Sequence, residues 1–242
     1  MKLSTATEER LHKLLRVFLE ENQKLNLSSL RSEESCWIGN ILDSIALLEL
    51  LKNIEPKTIN HKPLNLADIG TGGGFPLLPL AIALPEHHFT GIDSTKKKIG
   101  AVNRIIETLH ITNAHAIAER AEVLGHDPRH REHYDIVLSR AVAELPTLLE
   151  YCSPFAKIGL PDEAQEAKAE GYIVLWKSLS IEQELSGALH AAKEFHCELV
   201  MRRRYTLPGD FGERQLLVFQ KKEALPEKYP RAVGIPKKKP LL

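Results

Sequence analysis

The sequence predicts an α/β fold: a mostly parallel seven-stranded sheet with an antiparallel edge strand, preceded by N-terminal helices. Three observations carry that prediction. From about residue 64 onward, short apolar runs alternate with stretches of helical periodicity, the pattern that right-handed βαβ crossovers require. Four glycines crowd into positions 70–74, directly after the first of those runs. The last two runs are separated only by a short turn around Pro208-Gly209-Asp210, which suits an antiparallel pair and not a crossover.

The elements follow in order. Leu11, Leu14, Leu15 and Phe18 fall on one face of a first helix, and Thr5 and Glu8 have the spacing of a capping box. A polar break at 22–33 holds Asn26, Ser28, Ser29 and Arg31, which either cap helices or face a ligand. A second helix is expected from about Ser35 to Leu51, with Ile38, Ile41, Leu42, Ile45 and Leu48 in one stripe and Asn53 and Pro56 ending it. Strands are expected at 64–69, 88–93, 113–118, 134–139, 171–176, 198–206 and 214–220. Helices are expected near 76–84, 96–109, 144–152 and 181–195. Residues 159–170 (GLPDEAQEAKAE) read as an exposed acidic insertion, and no repeat of solenoid period occurs. The expectation is one domain over 1–242: a helical cap (1–55), an α/β core (64–222) and a basic extended tail (223–242).

Composition narrows the class. With 242 residues, 43% hydrophobic and 26% charged, the chain can bury a large core without disulfides or metal. Its three cysteines, Cys36, Cys152 and Cys197, are widely spaced, which fits a reducing compartment and excludes a zinc ribbon. No apolar run reaches the ~20 residues that cross a bilayer, and the opening MKLSTATEERLHKLL lacks an apolar signal core. A cytoplasmic monomer without membrane contact is expected. The eleven histidines lack ligand spacing, so no metal is expected. The net charge of zero hides an asymmetry: residues 201–242 carry eleven Lys or Arg against four acids, net +7, whereas 161–200 carry three against eight, net −5. A basic end is the footprint of a polyanion or simply a solvated tail.

The glycine cluster carries the chemistry. In an open parallel sheet, ligands bind beyond the carboxyl ends of the strands. A dinucleotide fingerprint, G-x-G-x-x-G, sets a helix N-terminus against a pyrophosphate. Here the pattern is D-x-G-x-G-x-G, with Asp68, Gly70, Gly72 and Gly74, and Phe75 stands where the third dinucleotide glycine would be. That loop, with its adjacent carboxylate, suits the amino-acid and ribose portions of S-adenosylmethionine better than a phosphate, which makes Asp68, Gly70, Gly72, Gly74 and Phe75 candidates for cofactor binding. The next strand ends in Asp93, followed by Ser94 and Thr95; an acid there can accept hydrogen bonds from ribose hydroxyls, or can merely cap the following helix.

The linear order LNLSSLR (25–31), ILDSIALL (41–48), LADIGTGGGFPLLPLAI (66–82), FTGIDSTKKK (89–98), ERAE (119–122), YDIVLSRAVAEL (134–145) and YPRAVGIPKKKPL (229–241) resembles the GidB/RsmG family of bacterial methyltransferases. The resemblance spans Leu25 to Leu241. It implies a Rossmann-like S-adenosylmethionine-dependent methyltransferase fold and methyl transfer to a guanine N7 in 16S ribosomal RNA, free or in the small subunit. It further implies cofactor contacts at Gly70, Phe75, Asp93, Ser94, Thr95, Ala121, Glu122 and Arg140. Asn26, Lys177, Arg214 and Arg231 are the candidates for contact with RNA. Three departures stand out: Asn40 where the family usually has His, Leu175-Trp176-Lys177-Ser178 where it often has Leu-Lys-Gly, and the longer stretch at 159–170.

The chemistry fits the resemblance. N7 attacks with a free lone pair and loses no proton, so alignment suffices and no general base is required. The N/D-P-P-Y/F motif of amino-group methylation is replaced by Leu138-Ser139-Arg140-Ala141, and no cysteine has the setting of a pyrimidine-C5 nucleophile. Arg140 beside a sulfonium is repulsive unless its charge is directed elsewhere. Its expected positioning role is to hold the cofactor carboxylate or an RNA phosphate; the alternative is an ion pair with Asp135 or Glu144. Arg202, Arg203 and Arg204 alternate between two faces of a strand. A small-molecule methyltransferase whose N-terminal helices form a lid, an NAD- or FAD-binding oxidoreductase and a non-catalytic RNA-binding module remain as rivals.

Overall fold

The computed structural model describes residues 3–54, 63–158 and 171–241. The sheet consists of β1 (Asn65–Ile69), β2 (His88–Asp93), β3 (Ala114–Ala118), β4 (Ile136–Arg140), β5 (Tyr172–Lys177), β6 (Cys197–Leu207) and β7 (Gly212–Lys221), in the order β3-β2-β1-β4-β5-β7-β6. β1 to β5 are parallel, and β7 runs antiparallel to both β5 and β6. The chain starts in the middle of the sheet, moves outward to β3 and returns to lay β4 against β1. The order therefore reverses between β1 and β4, the place where the ends of two strands diverge and leave a crevice.

Alternation along the strands divides the core into two layers. Leu66, Leu138, Val174, Trp176, Leu216 and Val218 face the N-terminal helices together with α5 (Leu77–Ala83) and α6 (Lys96–Thr108). Ala67, Val137, Ile173, Leu175, Leu217 and Phe219 face α8 (Leu145–Cys152) and α9 (Glu182–Glu194). The expected strands and the longer helices of the α/β part are all present, displaced by at most a few residues.

The N-terminal region departs in detail. α1 (Thr5–Leu25) is capped by Ser4, whose hydroxyl accepts from the Thr7 amide at 3.1 Å, and not by a Thr5–Glu8 box. A serine one residue upstream already occupies the extended N-cap position. The second helical region starts earlier, at α2 (Glu33–Cys36), where Ser32 and Ser35 form the capping box. It continues through a π-helical turn (Trp37–Leu42), α3 (Asp43–Ile45) and α4 (Leu47–Ile54). The wider π turn shifts the buried stripe, so Leu47 and Leu50 become fully buried beside Ile41 and Leu48. Asn53 lies inside α4 and does not end it. Pro56 and the acidic insertion 159–170 lie outside the described residues.

Two short helices were not expected: α7 (Ala121–Leu124) and α10 (Ile235–Lys238). α10 corrects the expectation of a wholly extended tail. Gly234 takes φ +80° and Pro236 occupies the first turn, where a proline's missing N–H is not needed. The segment before it is also fixed, because Leu225 and Tyr229 are buried and the Arg131 guanidinium donates to the Gly125, Leu225 and Tyr229 carbonyls at 2.7–2.9 Å.

α1 is held over the sheet where the site will form. Phe18 meets Phe75 edge-on with ring centroids 4.7 Å apart. Glu21 pairs with Arg104 of α6 at 2.5 Å and with Lys24 at 2.8 Å, and these hydrogen bonds, led by that of Lys24, hold its carboxyl below the usual range. The end of α1 thus delivers Leu27 and Ser28 to the carboxyl edge of β1 and β4.

Candidate active site

The glycine loop begins where β1 ends. The Gly70 and Thr71 amides both donate to the Ile92 carbonyl, at 2.7 and 3.1 Å, which ties the loop to the tip of β2. Gly70 has φ +76°, and a Cβ placed on it would fall 2.3 Å from Val142 Cγ2; both conformation and close approach demand glycine there. Gly72 has φ +55° with no atom nearer than 3.8 Å to its missing Cβ, so only its backbone conformation calls for glycine. The Asp93 carboxylate accepts from the Gly72 amide at 3.0 Å and from the Thr95 amide at 2.8 Å.

Asp68 lies beneath this loop and outside the crevice lining. It is 1% exposed, its Oδ2 accepts from the Leu77 amide at 3.2 Å, and its Oδ1 has no hydrogen-bond partner. Burial pushes its carboxyl up to about 7, against hydrogen bonds that favour the ionised form. Its observed partner is the start of α5, which it holds against the loop.

Two cavities open at the crevice. The inner one, about 290 Å³, is bounded by residues 70–73, Phe75, Asp93, Lys98, Leu27, Ser28, Asn40 and Arg140–Val142. The outer one, about 490 Å³, reaches Trp176, Lys177, Phe211 and Arg214. Their volumes fall near or within the roughly 300–1,000 Å³ typical of small-molecule sites. Ser28, Asn40, Arg140 and Ala141 belong to both, so these residues form the seam between them. Ala141 takes φ +56° there, uncommon for a residue with a side chain.

Arg140 dominates that seam. Its Nη1 donates to the Gly39 carbonyl and to Asp43 Oδ2, each at 2.8 Å, and its Nη2 to Asn40 Oδ1 at 3.3 Å. The guanidinium carbon stands 5.9 Å from the Phe75 ring centroid. Asp43 in turn accepts from the Tyr205 hydroxyl at 2.5 Å, while its backbone carbonyl accepts from Trp176 Nε1 at 2.9 Å. The Asp135 or Glu144 pairing weighed for Arg140 does not form. Asp135 sits just before β4, at the end opposite Arg140, and accepts from Lys157 at 2.6 Å and from the Asn65 amide at 2.7 Å; Glu144 is the N-cap residue of α8.

The remaining expected residues scatter. Ser94 and Thr95 are exposed just beyond the inner cavity, Thr95 as N-cap of α6. Gly74 turns the loop toward α5. Ala121 and Glu122 open α7, and the buried Glu122 carboxylate accepts from the Gly234 amide at 2.9 Å, an arrangement that fastens the C-terminal segment. Asn26 ends α1 with φ +53° and accepts from Arg31. Lys177 and Arg214 line the outer cavity. Lys177 is engaged with Glu184 at 2.6 Å, and Arg231 lies elsewhere, paired with Glu150 at 2.6 Å.

Sequence reasoning missed Asp43, Phe211 and Tyr205 as site residues, noted Asn40 and Trp176 only as departures, and left Lys98 unremarked within a basic helix start. At the crevice Asn40 Nδ2 is buried without a hydrogen-bond partner, and a polar atom left so is one a ligand satisfies; the Thr71 hydroxyl is instead turned to the buried Asp68 carboxyl. All three cysteines are free and buried; burial pushes Cys197 up to about 12 and Cys152 well above the ordinary thiol range, so neither offers a thiolate. Among the described residues there is no cluster of His, Cys, Asp and Glu able to hold a metal, and no helix long and apolar enough to cross a membrane.

Comparison with known proteins agrees with this architecture. Residues 7–196 match the family model described as rRNA small subunit methyltransferase G. The chain is 39% identical over 233 residues to Ribosomal RNA small subunit methyltransferase G of Carboxydothermus hydrogenoformans, covering 96% of this chain and 90% of the relative. It is 34% identical to the protein of the same name from Halalkalibacterium halodurans, covering 99% and 93%. Among solved structures, an O-methyltransferase from Bacillus cereus in complex with SAH superposes with TM-score 0.58 at 14% identity, over 87% of this chain and 91% of that one. Magnesium protoporphyrin IX methyltransferase from Synechocystis superposes with TM-score 0.53 at 12% identity, over 86% and 93%. These two likenesses are of fold.

Proposed function

The chain belongs to the rRNA small subunit methyltransferase G family, and on that premise we propose that it transfers the methyl group of S-adenosylmethionine to N7 of a guanine in 16S ribosomal RNA. The observation that carries this reading is the seam at Ser28, Asn40 and Arg140, where an inner cavity at the glycine loop opens into an outer one large enough for a base.

The inner cavity fits the cofactor. Glycine at 70 and 72, which the positive φ there demands, leaves the loop's backbone bare, and Asn40 Nδ2 at the cavity wall is a buried polar atom without a hydrogen-bond partner. Asp93 spends one interaction of each oxygen on an amide and retains acceptor capacity for ribose hydroxyls. When bound, S-adenosylmethionine supplies a methyl group already activated by its sulfonium. The protein's task is then to align an acceptor and exclude water, and no proton has to leave N7.

The outer cavity suits an unstacked base. Phe211, partly exposed, offers aromatic surface at its wall, with the buried Trp176 behind, and side chains of that kind stack bases removed from a helix. Arg214 at the rim can meet the phosphate backbone, which gives affinity without sequence choice. The reading includes action as a cytoplasmic monomer, with the helices over 1–55 capping the core as part of one domain.

Transfer of labelled methyl to 16S RNA lacking the modification, as naked RNA and as assembled subunit, tests the proposal. The expected result is label in 16S RNA, with the product mapped to guanine N7. Cofactor binding without label in either substrate would remove the RNA claim.

A further inference from the structure

The inner cavity presents an electrostatic problem. Its lining carries one acid, Asp93, and two cations, Lys98 and Arg140. Taken alone, that lining is net positive, which opposes a ligand whose sulfur is itself cationic. We propose that Asp43 is a positioning residue that neutralises Arg140 and so lets this cleft accept a sulfonium in preference to an uncharged thioether. The inference rests on the cofactor assignment above and goes beyond it, to the residue that makes that cofactor's charge tolerable.

The geometry supports a charge sink and not a passing contact. Asp43 Oδ2 and Arg140 Nη1 are 2.8 Å apart, and both side chains are mostly buried, 11% and 13% exposed. Solvent screens such a pair little. Asp43 lines the outer cavity and not the inner one, so it balances the guanidinium from behind without occupying the ligand's space. Its other oxygen accepts from the Tyr205 hydroxyl. Burial, followed by the Asp43 charge, pushes that phenol far above its ordinary range, so Tyr205 donates a hydrogen bond and contributes no charge of its own. The other two acceptors of Arg140, the Gly39 carbonyl and Asn40 Oδ1, are neutral. Among the described residues Asp43 is therefore the acid that Arg140 touches and the one that supplies the compensating charge at contact, and the neutral acceptors fix the fork's direction.

Two substitutions of opposite sign test this. Asp43→Asn keeps the shape and removes the negative charge; Arg140→Gln removes the positive one. Each folded variant and the wild type would be titrated calorimetrically with S-adenosylmethionine and with S-adenosylhomocysteine, which lacks the methyl and the charge. The readout is the ratio of the two dissociation constants. Asp43→Asn should shift that ratio against the cation by about tenfold or more, Arg140→Gln should shift it toward the cation, and the double variant should return near the wild-type value. A merely structural role would weaken both ligands together and leave the ratio alone; that outcome, or shifts of the same sign in both variants, overturns the inference. Failure of the wild type to bind either ligand is a separate result, and it would sink the cofactor assignment itself.

Discussion

Glu150 of α8, fully buried, holds Arg231 by both branches of the guanidinium and by its backbone amide. Nε and the amide each lie 2.8 Å from Oε1, and Nη2 lies 2.6 Å from Oε2. The pair fixes the segment carrying Leu225, Tyr229 and α10 against the layer of α8 and α9. Arg231→Ala would leave the carboxylate buried and uncompensated, and the expected loss is about 3–5 kcal/mol in urea unfolding. Adding Glu150→Leu should restore much of it, because the unpaired charge is what costs. Equal stabilities of Arg231→Ala and wild type would show that the tail is not anchored there.

Gly70 should be far less replaceable than Gly72. Alanine at 70 combines φ +76° with a Cβ 2.3 Å from Val142, a residue of the inner cavity wall. Backbone strain of about 1–2 kcal/mol then adds to displacement of that wall, so cofactor affinity should fall along with melting temperature. Alanine at 72, with nothing nearer than 3.8 Å, should lose only the conformational part, about 1–2 kcal/mol. Thermal unfolding with and without S-adenosylmethionine separates the two effects. A second change, Val142→Ala, should recover space in the Gly70→Ala variant but not the strain.

Asp68 gives stability a pH dependence with a definite sign. Burial raises its folded carboxyl to about 7 from the ordinary value of 3.8. Between those values the folded state holds a proton that the unfolded state has lost, so this group's contribution is present at low pH and fades as pH rises through about 7. Asp68→Asn keeps an acceptor for the Leu77 amide and cannot titrate. The stability difference between variant and wild type should move in the variant's favour by about 2–4 kcal/mol from pH 4 to pH 8. Parallel stability curves across that range would mean that the carboxyl titrates normally.

The parts of this fold that were legible in sequence are those set by local pattern. Residues 171–176 read as a strand because a short continuous apolar run suits one covered on both faces, as Ile173–Trp176 are, and the glycines read as a ligand loop because their steric exemption is intrinsic. Arg140 was legible as a site residue through its position at the end of β4. Its partner was not, since Asp43 lies 97 positions away and Tyr205 lies 162 from Asp43. Only the register that puts Arg140 beside Trp176 and Trp176 beside Leu216 brings these elements together. Asp68 misled for the opposite reason: its motif is local, but whether it faces a ligand or the loop's underside depends on one residue of strand phase. Arg231, read as a free cation of a basic tail, is claimed by a helix 81 positions earlier.

Lys177 and Arg214 both line the outer cavity, yet they should behave differently toward RNA. Lys177 donates to the Ala143 carbonyl at 2.9 Å and to Glu184 at 2.6 Å, and Glu184 also receives the Leu145 amide at the start of α8. With 13% of its side chain exposed, its charge already has a partner. Lys177→Met should therefore lower stability and leave the salt dependence of RNA binding nearly unchanged. Arg214 is half-buried on β7 and donates to the carbonyl of its neighbour Glu213 at 2.9 Å, and among the described residues no carboxylate pairs with it. If that charge meets phosphate, Arg214→Ala should weaken RNA binding and reduce the slope of log affinity against log salt by about 1. Its stability should stay within about 0.5 kcal/mol of wild type. Filter binding at several salt concentrations, with unfolding curves for each variant, separates the two residues. An unchanged salt slope in Arg214→Ala, or a slope lowered equally by Lys177→Met, would mean that the RNA backbone passes elsewhere.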